Sequence, residues 1–135
     1  MSGQIRVLLA TVGLQDSARD MKGMARALRD AGIDVIYAGC CQTPDEVVNA
    51  AIQEDVDVLG LSLASGSHAA VFPAIFARLR LEGAEDMIVV ARGAIRDEDA
   101  ETLRKMGVKE VMTEDARPQV MVDMLKRLVD ERGPR

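Results

Sequence analysis

The sequence predicts an α/β fold: a doubly wound, parallel five-stranded sheet with helices on both faces. Two observations carry this. Short apolar runs alternate with amphipathic stretches from one end of the chain to the other. In addition, nearly every amphipathic stretch stops at a glycine or an acidic residue directly before the next apolar run. Parallel strands need crossover helices that cover both faces of the sheet, and an uninterrupted strand–helix alternation supplies them.

Ile5–Thr11 reads as a buried strand, and Ser17–Ala31 as an amphipathic helix stopped by Gly32. Asp34–Ala38 is the second strand. Thr43-Pro44-Asp45-Glu46 then starts a helix, with Thr at the N-cap, Pro in the first turn and acids facing the helix dipole. That helix carries Val47, Val48, Ala51 and Ile52 on one face and ends near Asp55. Val56–Ser62 is the third strand, Ser67–Leu81 the third helix, Met87–Ala91 the fourth strand and Asp97–Met106 the fourth helix, closed by Gly107. Val108–Met112 is a short fifth strand, and Pro118–Glu131 a last helix whose core stripe takes in Val120, Met121, Met124, Leu125 and Leu128. Five strands of this kind predict the flavodoxin-like order 2-1-3-4-5, with a ligand crevice between strands one and three at the carboxyl edge.

With 135 residues, 48% hydrophobic and 29% charged, the chain reads as one folded domain over 1–135 with a full core. The termini, Met1-Ser2-Gly3 and Gly133-Pro134-Arg135, are expected to fray. Aromatic residues number three, Tyr37, Phe72 and Phe76, so Val, Ile, Leu, Met and Ala must fill the interior. No apolar run approaches the roughly 20 residues that cross a bilayer, and the first residues do not read as a secretory signal, so a cytoplasmic protein is expected, without a membrane partner. A net charge of −5 argues against a nucleic-acid partner held through phosphates. Cys40 and Cys41 are neighbours, which strains a bridge between them, and they read as small residues packed in a loop. One His and two Cys make no zinc constellation.

Three loops converge on the carboxyl edge, at 13–20, 62–68 and 92–96, and this is where chemistry would sit. Ser62, Ser65 and Ser67 lack an adjacent base and read as helix caps rather than nucleophiles. Asp16, Arg19, Asp20, Arg92 and Arg96 read as a solvated rim. A sharper reading makes them an ionic plug across the crevice, or makes Arg92 and Arg96 an anion site at a helix N-terminus. A receiver domain would need acids after strand one, Asp after strand three and Lys after strand five, where this chain has Thr11, Ser62 and Thr113. A Gly-x-Gly-x-x-Gly fingerprint and a P-loop are both absent, and no base–nucleophile pair marks an independent active site.

Over about Ile5–Arg132 the chain resembles the small cobalamin-binding subunits of acyl-CoA mutases, of the methylmalonyl-CoA and 2-hydroxyisobutyryl-CoA mutase type. The resemblance is strongest in Ala27-Leu28-Arg29-Asp30-Ala31-Gly32, in Gln42-Thr43-Pro44-Asp45-Glu46-Val47-Val48 and in 51–60. It implies cobalamin as cofactor, a large barrel subunit as partner and a possible homo-oligomer. It places the cofactor site at Gly13, Leu14, Gln15, Ser17, Ser62, Ala64, Arg92 and Gly93.

At those positions the chain departs from the family pattern. The family's first loop has Lys, then Asp-x-His-x-x-Gly, in which His ligates cobalt and the two charged residues support it. Here Thr11 stands for the Lys, Gln15 for the Asp, Ser17 for the His and Asp20 for the Gly. The family's Ser-x-Leu keeps Ser62 but has Ala64 for Leu, and its Gly-Gly after strand four, on which the cofactor's nucleotide tail lies, reads Arg92-Gly93, with Arg96 for a following Pro. The family's Gly-Pro-Gly-Thr region reads Thr113-Glu114-Asp115-Ala116. His68, the single His, opens helix three and reads as structural. The resemblance therefore implies a mutase small subunit whose cobalamin is held weakly, base-on, or not at all. The alternative is a cobalamin-free binding or regulatory module that keeps the fold and the partner surface.

Overall fold

The computed structural model describes residues 5–12, 18–63, 68–93, 95–113 and 116–133. The elements are β1 (Arg6–Val12), α1 (Ala18–Asp30), β2 (Asp34–Gln42), α2 (Pro44–Gln53), β3 (Val58–Leu63), α3 (His68–Leu81), β4 (Ile88–Gly93), α4 (Asp97–Met106), β5 (Glu110–Met112) and α5 (Pro118–Arg132). All strand pairings are parallel and the order is β2-β1-β3-β4-β5, as the alternation predicts. No helix among the described residues is long and apolar enough to cross a membrane.

The period-two alternation of the strands divides the interior into two layers. Val7, Leu9, Val35, Val58, Ile88, Val90 and Met112 face α1 and α5, where Met24, Leu28, Met121, Met124, Leu125 and Leu128 cover them. The opposite set, with Leu8, Ala10, Leu59, Leu61, Val89 and Ala91, packs under α2, α3 and α4 against Val47, Val48, Phe72, Ile75 and Leu103.

Four helices end by one device. Gly32, Asp55, Gly83 and Gly107 take φ of 89°, 52°, 71° and 125°. The amide N–H of the following residue then donates to a carbonyl five positions back: Ile33 to Leu28, Val56 to Ala51, Ala84 to Leu79 and Val108 to Leu103. This left-handed closure satisfies orphan carbonyls and turns an apolar residue into the core. It also corrects two boundaries. Val56 and Val108 belong to these closures, so β3 begins at Val58 and β5 at Glu110.

Three further expectations are corrected. β2 runs four residues past Ala38, so Cys40 and Cys41 lie in an edge strand and not in a loop. The strand stays alongside β1 through irregularities between Leu9 and Ala10 and between Ala10 and Val12, which re-phase the pairing without ending it. Val120 is 53% exposed at the start of α5, and the buried stripe there uses Val122 instead. Ile52 sits at the margin of its helix's buried face, 36% exposed.

Candidate functional site at the carboxyl edge of the sheet

The site is built on one row of residues that crosses the three central strands and β5. Thr11 is in register with Ser62, Ser62 with Arg92 and Arg92 with Met112. Thr11 and Arg92 lie two residues beyond Leu9 and Val90 of the α1/α5 layer, Ser62 lies four beyond Val58, and Met112 is itself a member, so the row faces that side of the sheet. Thr11, Ser62 and Arg92 are the only buried polar or charged residues among those described, with 0%, 1% and 8% of their surface exposed. The rim reading of Arg92 is thus corrected. Its long side chain turns inward, and it is not without a partner. The pairing expected with Asp16 or Asp20 falls on side chains outside the described ones. The Thr11 Oγ1 has no hydrogen-bond partner among the described residues.

One row further in, Leu9, Gly60 and Val90 are in register. A small apolar cavity opens above them, lined by Met24 of α1, Met112 of β5, Met121 of α5 and Arg92. The cavity has room for about one water. The wall is apolar, so Arg92 contributes its aliphatic stem and the guanidinium lies elsewhere. Gly93, directly after Arg92, is buried and takes φ 155°, a conformation that L side chains rarely adopt.

The anion site expected from Arg92 and Arg96 does not assemble. Arg96 is the N-cap of α4, on the opposite face of the sheet, and its exposed guanidinium pairs with Asp99 at 3.4 Å and Glu98 at 3.9 Å. Of the other sequence-predicted positions, Gly13, Leu14, Gln15, Ser17 and Ala64 lie outside the described residues. The structure therefore brings together Ser62, Arg92 and Gly93, and adds Thr11, Gly60 and Met121. Sequence reasoning named Thr11 only as a replacement and passed over Gly60, whose signal is a glycine inside an otherwise apolar strand.

Comparison with known proteins decides the family. The B12 binding domain matches residues 5–121. The chain belongs to the B12-binding domain family. It is 58% identical over 131 residues to the 2-hydroxyisobutanoyl-CoA mutase small subunit of Aquincola tertiaricarbonis, covering 97% of this chain and 96% of that one. It is 33% identical over 129 residues to the methylmalonyl-CoA mutase large subunit of Streptomyces virginiae, of whose length it spans only 18%. Among solved structures, a cobalamin-binding protein from Desulfitobacterium hafniense DCB-2 superposes with a TM-score of 0.75 at 19% identity, over 93% of this chain and 59% of that one, which shows a shared fold.

Cobalamin is the cofactor of this family. Two features matter: a donor for cobalt near the end of β1, and space beside the end of β4 for the nucleotide tail. This B12-binding domain has a single His in its whole sequence, and it begins α3, not α1. Ser17 and Gln15 supply no imidazole and no carboxylate behind one. Beside β4, Arg92 is buried where the resemblance puts glycine, and the cavity that it lines among the described residues has room for about one water. The residues present do not fit a His-ligated cofactor with its tail buried against β4.

Proposed function

We propose that this B12-binding domain is the small subunit of an acyl-CoA mutase, docking on a separate large barrel subunit. In this reading it meets cobalamin weakly and base-on, with the cofactor keeping its own base as lower ligand. The observation that carries the reading is the 58% identity over nearly the full length of a mutase small subunit, where the other mutases carry the domain within much longer chains. The framework segments match the family while the ligand-facing positions depart together, which points to a changed ligand relationship on a retained scaffold. A second reading, a cobalamin-free regulatory module with the same partner surface, is favoured by the burial of Arg92. A cytoplasmic location and a single domain over 1–135 go with both.

The test is a spectral titration of the purified protein with hydroxocobalamin. The expected result is weak binding without the change that accompanies His replacing the cofactor's own base. Tight, base-off, His-ligated binding would overturn the reading, and His68 would be the first residue to mutate. Co-purification with a mutase large subunit, with and without cobalamin, separates the two readings: the first requires cobalamin to follow the complex, the second does not.

A further inference from the structure

The layer between the sheet and helices α1 and α5 contains a slot. Its floor is Gly60, a residue without a side chain in a central strand. A Cβ placed there would meet Leu9 Cδ2 at 2.9 Å and Met121 Cε at 3.5 Å, with the Leu8 carbonyl oxygen further off at 3.7 Å, so the two nearest neighbours over the floor are side-chain ends. Three walls are methionines, Met24, Met112 and Met121, whose unbranched thioethers repack at little cost. The side toward the carboxyl edge is closed by Arg92, 8% exposed, whose stem forms part of the apolar wall. A flat apolar object entering from the edge meets Arg92 first and adaptable methionines behind it.

We propose that Arg92 is a volume gate over this slot, the specificity-determining residue that keeps a flat aromatic heterocycle, such as the base of a cobalamin tail, from entering between β3, β4 and α5. The inference rests on the proposed function for its biological meaning, since it fixes how a corrinoid can sit on this edge. The gate itself is a property of this chain's packing. It acts by bulk: an arginine stem fills the entrance whether or not the guanidinium is paired. The contrast between a short side chain and a long uncharged one at position 92 therefore decides the matter.

The experiment uses 5,6-dimethylbenzimidazole alone as the probe, with no corrin and no partner subunit. The chain has no Trp and one Tyr, so the fluorescence of the probe reports binding with little interference. Arg92→Ala is expected to bind the probe at least tenfold more tightly than the wild-type chain. Arg92→Met, about as long as the arginine stem but uncharged, should bind no better than wild type. Arg92→Val suits a central strand and carries the same expectation as alanine, so the test survives if the alanine variant does not fold. Folded short variants that gain nothing would overturn the gate, as would a wild-type chain that already binds as tightly as they do. A methionine variant that binds like alanine would overturn a gate made by the bulk of the stem alone. Each result bears on the gate alone, whereas tight His-ligated cobalamin binding by the wild type would count against the functional reading instead.

Discussion

Leu9 and Gly60 illustrate how much one residue decides in this sheet. They are in register on adjacent strands, and Leu9 is fully buried above the bare glycine. Gly60→Ala forces the Leu9 Cδ2, 2.9 Å from the new Cβ, to shift beside the small cavity, and should cost about 1 kcal/mol of stability, the low end of overpacking. Leu9→Ala removes the obstacle but leaves a cavity, for about 2–5 kcal/mol. Because the two changes share one space, the double variant should be more stable than the sum of the singles predicts, by at least about 0.5 kcal/mol. Urea denaturation of the four proteins checks this, and strict additivity would show that the two side chains do not meet. At this scale the sequence was half legible. That Arg92 and Thr11 replace family residues can be read directly. That Arg92 turns inward cannot, because an arginine at a strand end can equally well snorkel out to water.

The elements were the most legible part, because their ends are written in local chemistry. Helix α2 has a signal at each end. Thr43 Oγ1 accepts from the Glu46 amide at 3.2 Å and the Glu46 carboxylate accepts from the Thr43 amide at 3.0 Å, a complete capping box. At the other end Asp55 holds φ 52°, where the three equivalent closures use glycine. Thr43→Ala should cost about 1 kcal/mol, a fall in melting temperature of roughly 4 °C for a domain of this size. Asp55→Gly should move the other way, by about 0.5 kcal/mol, since it relieves a left-handed aspartate. Thermal melts of the two variants check the pair of signs. What stayed illegible was tertiary. The extension of β2 to Gln42 depends on β1 lying beside it, and no local pattern in Gly39-Cys40-Cys41 announces a strand. Val120 fits a helical stripe by spacing, yet the stripe that packs is rotated toward Val122, because the sheet below, not the period alone, decides which face is covered.

Across the whole molecule the two edges of the sheet do different work. The amino edge is stitched by side chains from distant segments. Arg132 at the end of α5 reaches the Asp57 carboxylate at 3.0 Å, which also accepts from the Arg6 amide at 3.0 Å, while the Arg6 side chain pairs with Asp34 at 2.8 Å and donates to the Glu54 carbonyl at 2.7 Å. None of these groups is near the site, so the scaffold is held independently of the carboxyl edge, and that edge can change its residues without loss of the fold. This independence makes ligand binding recoverable in principle. Gln15→Asp with Ser17→His restores a cobalt ligand and its support, but leaves Arg92 across the entrance and should improve cobalamin binding little. Adding Arg92→Gly and Asp20→Gly should recover most of it. The glycine in the first turn of α1 costs up to about 1 kcal/mol of helix stability, which a scaffold tied together at its opposite edge can absorb. The measurement is a hydroxocobalamin titration of wild type, double and quadruple variants, read as both affinity and the shift to a His-ligated spectrum. A double variant that binds as tightly as the quadruple one would mean that Arg92 does not obstruct the cofactor. A folded quadruple variant that still fails to bind would place the loss in the loops after β3 and β5, where Ala64 and Thr113-Glu114-Asp115-Ala116 stand in for the family's residues.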